Sequence, residues 1–316
     1  MKKDLFNAEY VTGRLYQHNL EKKTVQNKES KNFGIEFITG TVDIATDEDG
    51  LNVIPIHYTY VTEMTSNGKK NATYGVLDSI INGAKTWVTD GKDAALKLRA
   101  STALGLNDFY NQNDELVSAK RNEGGFLNTI NELPPEKERS TFKFDMVITS
   151  TTRVEADPEN GIDTDFVRVK GGIFNFRKAL LPVELVCRDE VGGGMAYFES
   201  LDASPAEPVF TEVRGNIVSN VIKREIEEES AFGSASVRTV TRTVREWDIN
   251  WARPTEYAFG EADTLTAEEL KTAMQDRQVY LADIKKRRDE YNATRNAATK
   301  EAPKAAAGVL EGGFDF

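Results

Sequence analysis

The sequence predicts a mainly β chain built of small, strongly curved barrels, two of them, followed by one long helix and a flexible tail. Three observations carry that expectation. An apolar-x-Gly-x-apolar pattern occurs at Val11–Leu15, Ile38–Val42, Val169–Ile173 and Val213–Ile217. Turn chemistry recurs between alternating apolar runs, and a run of good helix formers poor in glycine and proline is confined to the last fifth of the 316 residues. An interior glycine in an alternating run marks a bulge or sharp coil, which a strand needs when it bends to serve both halves of a small barrel. Two instances of the pattern in each half place one barrel over residues 1–160 and a second over 161–260.

The elements follow in order. Phe33–Ala45 and Leu51–Val61 read as strands around Asp47-Glu48-Asp49-Gly50, with Asp-Gly at the hairpin tip. Tyr74–Ala84 reads as a short helix, and residues 105–131 as a long decorated loop or hairpin. Phe142–Val154 and Phe166–Phe176 alternate around the turn residues Asp157-Pro158-Glu159-Asn160-Gly161. Leu180–Cys187 and Met195–Leu201 are expected as strands on either side of a Gly192-Gly193-Gly194 turn. Phe210–Val221 and Val237–Trp251 follow, separated by the acidic run Glu225–Glu229, which reads as a solvated loop or helix end. Thr266 and Glu269 form a capping box that opens a helix running to about Arg295. Its apolar stripe is Leu270, Met274, Leu281, Ile284 and Tyr291, interrupted by Arg277 and Arg288. Residues 299–316, rich in Ala, Gly and Pro, cannot bury a core and are expected to form a mobile tail.

Composition excludes much chemistry. A single cysteine, Cys187, rules out a disulfide framework or a Cys-rich zinc module, and two distant histidines, His18 and His57, leave little material for metal or triad chemistry. There is no Gly-x-x-x-x-Gly-Lys-Ser/Thr loop for a nucleotide. Asp157, Glu159, Asp163 and Asp165 lack the glycine spacing of a calcium loop and read as a solvated hairpin. No apolar run is long enough to span a bilayer, and the N-terminal lysines have no apolar segment behind them. The expectation is a soluble, cytoplasmic, non-enzymatic binding protein with no cofactor, no metal and no membrane partner. The net charge of −11 opposes any global basic field. Residues 261–316 hold nine Lys/Arg and eleven Asp/Glu, so residues 1–260 carry −9. Any anion-binding groove must therefore be local.

Several short glycine-kinked strands, hairpins and an interposed helix resemble the OB-fold barrels of bacterial and phage single-stranded DNA-binding proteins. Val11, Gly13 and Leu15 match the Val-x-Gly-x-Leu element of that family's first strand. The last six residues, Glu311-Gly312-Gly313-Phe314-Asp315-Phe316, resemble its acidic, Phe-terminated tip, with fewer acids and no proline before the last phenylalanine. The resemblance implies single-stranded DNA as ligand, and replication or recombination proteins recruited through Phe314, Asp315 and Phe316. A second copy of the chain is an open alternative as partner. The size, with strands enough for two barrels, looks more like a phage-encoded version, acting in the host cytoplasm.

A groove for a nucleic-acid strand needs cations for phosphates and aromatic rings for bases. Between Val237 and Arg253, alternation puts Trp247, Ile249 and Trp251 on one face with Arg245 and Arg253, and Arg238 and Arg242 on the other unless a bulge intervenes. A second candidate combines Arg168 and Lys170 with Phe174, Phe176 and Arg177. A third runs from Lys97 and Arg99 to Phe109 and Tyr110, with Lys120 and Arg121 nearby. A virion or tail component made of β domains is the alternative from a different class.

Overall fold

A computed structural model describes residues 5–158, 162–228, 236–255 and 265–301, with backbone alone for 220–228, 236–244 and 295–301. The elements are β1 (Asn7–His18), β2 (Glu21–Thr24), β3 (Glu36–Ala45), β4 (Val53–Thr62), α1 (Ala72–Ile81), α2 (Trp87–Asp90), β5 (Lys97–Tyr110) and β6 (Leu116–Thr129). They continue with β7 (Ser140–Val154), β8 (Phe166–Phe174), β9 (Leu180–Cys187), α3 (Gly194–Glu199), β10 (Val209–Glu228), β11 (Ser236–Ala252) and α4 (Ala267–Glu301). The chain is mainly β, with a C-terminal helix.

The strand pairing closes twice. In the first half β1 pairs antiparallel with β3, β3 with β4, β4 runs parallel to β6, β6 pairs with β5, and β5 returns to β1. In the second half β7 pairs with β8, β8 with β9, β9 runs parallel to β11, β11 pairs with β10, and β10 returns to β7. Each circuit has the same order, and each carries a helix in the chain between its third and fourth strands, α1 in one and α3 in the other. Two OB-like barrels result. They share an antiparallel seam from Asn7↔Phe144 to Val11↔Ser140, and their inward residues, Val11, Leu15 and Ile56 with Phe144, Val169 and Ile217, form one apolar cluster.

Glycine sits where strands cross too closely for a side chain. A Cβ on Gly215 would lie 1.8 Å from the Asp248 carbonyl oxygen, at the point where the β10–β11 register shifts. Gly40, beside the shift between β3 and β4, adopts φ +129°, a conformation that L side chains rarely take.

Three expectations change. The boundary near residue 160 falls within the β7–β8 hairpin, whose strands pair from Val147↔Gly172 to Val154↔Phe166. The circuits meet instead in the 130–139 connection, because the chain between Val154 and Phe166, bridged at Asp157↔Ile162, joins two strands of one barrel. Met195–Leu201 is not a strand: residues 194–199 form α3, burying Met195 and Phe198 at helical i,i+3 spacing. The acidic run is neither loop nor helix end as far as Glu228, since Glu225↔Thr239 through Glu228↔Ser236 pair in the β10–β11 ladder. Residues 105–131 do take the hairpin alternative, β5 and β6 pairing from Leu98↔Thr129 to Tyr110↔Leu116 with a register shift at Ser101/Thr102.

Helix α4 lies along both barrels. Leu270 and Ala273 pack on Val147, Phe174 and Leu180 of the second. Arg277 reaches the first barrel with a two-pronged bond to the buried Asp108 on β5, at 2.7 and 2.6 Å. Farther on, Arg288 donates to Asp114 and, at 2.6 Å, to the Asn111 carbonyl at the β5–β6 turn. The arginines that interrupt the apolar stripe are thus the residues that dock the helix, while Met274 and Tyr291 of the stripe stay exposed. Arg288→Ala is expected to cost about 0.5–1 kcal/mol locally. Amide exchange over residues 281–290 should quicken about two- to fivefold while the first turns of α4 keep their protection.

Candidate nucleic-acid interface

The outer surface of the second barrel gathers most of the candidate residues. On β8, Val167 and Val169 point inward and are buried, so Arg168 and Lys170 point out. They flank Glu184 on β9, with Arg168 Nε 2.9 Å and Lys170 Nζ 3.7 Å from its carboxylate. Just past β9, Arg188 bonds Glu246 at 2.5 Å, and its guanidinium lies 5.2 Å from the Phe166 ring centre. Lys120 of β6 comes across from the first barrel to donate to the Glu184 carbonyl at 2.8 Å, and burial lowers its pKa. Four cations here face three carboxylates, Glu184, Glu246 and Asp248.

Around the barrel a second cluster is richer in positive charge. Register places Lys143 of β7, Arg214 of β10 and Trp251 of β11 side by side on one outer face. The Arg214 guanidinium lies 4.4 Å from the Trp251 ring centre, and Lys143 Nζ lies 3.6 Å from that of Phe6. Both rings are part-exposed, Trp251 by 41%. Beneath them the buried Glu212 lies 2.6 Å from Arg214, 3.2 Å from Lys143 and 3.8 Å from Arg253. Although burial works to raise it, the Glu212 pKa is held below its ordinary value by hydrogen bonds from Arg214 and Lys143. Three cations around one carboxylate leave a local excess of positive charge beside two aromatic rings.

Other candidates part company with these. Trp247 is 1% exposed, and its indole N–H donates to Glu9 at 2.7 Å, so it belongs to the core. The reason is the register shift at Arg214/Gly215: Asn250 is the extra residue, so Trp247 and Ile249 point in while Trp251 points out beside Arg214. Arg245 shares the inward parity, is half-buried, and has Asp43 and Glu9 as its electrostatic partners, with its pKa lowered by burial. Phe174 is buried beneath α4. Phe176, 87% exposed, stands with Arg177 at the β8–β9 turn, the guanidinium 5.2 Å from the ring centre. Arg238 and Arg242 pair in the β11 ladder with Ile226 and Ile222, but their side chains lie outside the described residues, as do Phe314, Asp315 and Phe316 entirely. In the third candidate, Tyr110 lies near Lys285 and Arg288 of α4, and Arg121 pairs with Glu123 at 3.1 Å. Sequence reasoning missed Lys143, Arg214 and Arg188, although the Phe142-Lys143-Phe144 and Val213-Arg214-Gly215 alternations already assign the first two outward.

Among the described residues no group of three or more His, Cys, Asp or Glu is placed to hold a metal ion, and no helix is long and apolar enough to cross a membrane. Burial pushes the Cys187 thiol up to about 11, far from a reactive thiolate.

No curated protein matches the sequence. Among solved structures, a deletion mutant of the single-stranded DNA binding protein from Thermus aquaticus aligns over 81% of this chain and 98% of its own, at 10% identity and a TM-score of 0.45. A Replication Protein A heterotrimer bound to ssDNA aligns over 88% of this chain and 70% of its own, at 8% identity and a TM-score of 0.23. The assignment of two OB-like barrels rests on the strand circuits themselves. A family match runs over residues 8–287, from β1 through both barrels and into α4. The chain belongs to the YorF family.

Proposed function

We propose that the chain is a non-enzymatic binding protein for single-stranded DNA, which it protects during replication or recombination. The observation that carries this reading is the cross-strand row Lys143–Arg214–Trp251, set beside Arg253 on the wall of an OB-like barrel. Cations that hold a backbone next to a ring on which a base stacks are the elements of sequence-tolerant strand binding. The Arg168–Lys170 face of β8 and β9 extends the surface on the strands that OB folds commonly use. Partner recruitment through Phe314, Asp315 and Phe316 belongs to the same proposal, supported by the aromatic and acidic composition of that tip.

The test is binding of an oligo-dT measured against salt. Affinity is expected to fall steeply, with each single-strand phosphate contact contributing about 0.7 to the slope of log K against log salt. Arg214→Gln keeps a donor for Glu212 but removes the charge, and should lower the slope by about that amount, as should Lys170→Gln. Absence of binding even at low salt would overturn the reading and favour a structural component built of β domains.

A further inference from the structure

A cleft of about 210 Å³ opens at the end of the second barrel, between α3 and the last residues of β11. Its lining includes Cys187, Asp189, Tyr197, Ile249, Asn250 and Trp251. It is smaller than the about 300–1,000 Å³ of drug-sized pockets, and suits one flat ring. Two polar side chains on its wall, Asp189 and Asn250, offer acceptors. The Asp189 carboxylate is fixed by the Gly192 N–H, which donates to Oδ1 at 2.7 Å, and both carboxylate oxygens keep lone pairs for a further donor. The Asn250 amide is oriented by its bond to Asn216 Oδ1 at 2.8 Å, with the amide nitrogen turned to Asn216 and its own oxygen left as an acceptor. The neighbouring Gly193 N–H is engaged with the Glu190 carbonyl at 3.2 Å. Such a wall repels phosphate and attracts N–H groups. The cations lie just outside it: Arg214 against Trp251 on one flank, and Arg188, next in the chain to both Cys187 and Asp189, on the other.

We propose that this cleft seats a single amino-bearing nucleobase of the bound strand, with Trp251 as its stacking wall and Asp189 and Asn250 accepting from its exocyclic amine. The proposal rests on the strand-binding reading above and adds a base preference to it. Cytosine, adenine and guanine each carry an amino group to offer. Thymine presents its one N–H between two carbonyl oxygens, which would face the Asp189 carboxylate. The flanking phosphates would fall to Arg214 and Arg188, outside the acidic wall.

The experiment compares dC20 and dT20 on the full chain at pH 7.5 and low salt. Wild type is expected to bind dC20 about tenfold more tightly than dT20. Trp251→Ala should weaken both about tenfold, with Trp251→Phe recovering most of the loss. Asp189→Asn, which retains an acceptor for the Gly192 N–H, should abolish the preference for dC20. Should Trp251→Ala fail to fold, Trp251→Phe and Asp189→Asn decide the matter. Equal binding of dC20 and dT20 by wild type, or a preference unaltered in Asp189→Asn, would overturn the cleft while leaving the strand-binding reading intact. If wild type bound neither oligonucleotide, both would fall.

Discussion

Trp247→Ala is expected to lower the unfolding free energy by about 3–5 kcal/mol, among the largest losses a single truncation can produce. The indole is fully enclosed where the barrels meet, with Lys120 Nζ 4.7 Å above the ring and Glu9 taking its N–H. Removing it opens a cavity lined by both halves and strips one donor from a buried carboxylate. Chemical denaturation measures the loss, and oligonucleotide affinity of the folded fraction should stay close to wild type. A loss under about 1 kcal/mol together with a large drop in affinity would return Trp247 to the binding surface.

The second large effect belongs to Glu9. Its carboxylate is fully buried and accepts from Trp247, from Asn122 at 2.9 Å and from Thr102 at 2.8 Å. Burial raises its pKa to about 7, against the lowering influence of those hydrogen bonds and of the Arg245 charge. An acid whose pKa is higher in the folded state than in the unfolded chain makes the fold tightest while it is protonated. Stability from this group is therefore complete below about pH 4.5, declines as pH rises through 7, and stays reduced above that. The difference amounts to about 3 kcal/mol. Glu9→Gln should flatten the change in unfolding free energy between pH 5 and pH 8 that the wild type shows. An unaltered pH profile in that variant would place the titration elsewhere.

Glu9 also shows what a sequence can and cannot disclose. Apolar-x-Gly-x-apolar spacing and turn chemistry were enough for two barrels, because both are local consequences of how a strand bends. The pairing partners were not local. Nothing around Glu9 in the chain points to Asn122 or Trp247, which fold topology brings to it from both halves. Trp251 was legible as a surface ring only by chance, since strict alternation groups it with Trp247, and the bulge that separates them depends on the close approach of β10 at Gly215. Arg277 and Arg288 looked like defects in an apolar stripe because Asp108 and Asp114 lie in a different strand region altogether. The boundary near residue 160 failed for a related reason: turn residues signal that a chain reverses, and the same signal serves inside a barrel and between two.

The parallel seams of the two barrels bear on how the chain reaches this state. The first barrel closes at Ile56↔Asn122 and His57↔Glu123, the second at Val186↔Asp248. Every other strand pair in these circuits has a longer ladder, and the hairpins β3–β4, β5–β6, β7–β8, β8–β9 and β10–β11 join neighbours in sequence. Loop-closure entropy favours those hairpins early and leaves the joining of distant strands until late. Each barrel would then assemble as an open, curled sheet and snap shut in a final step. Interactions made only at that step govern how quickly the finished protein comes apart rather than how quickly it forms. The persistence of the molecule is thus set by the residues that join distant strands, at the two narrow parallel closures and along the β1–β5 and β7–β10 ladders.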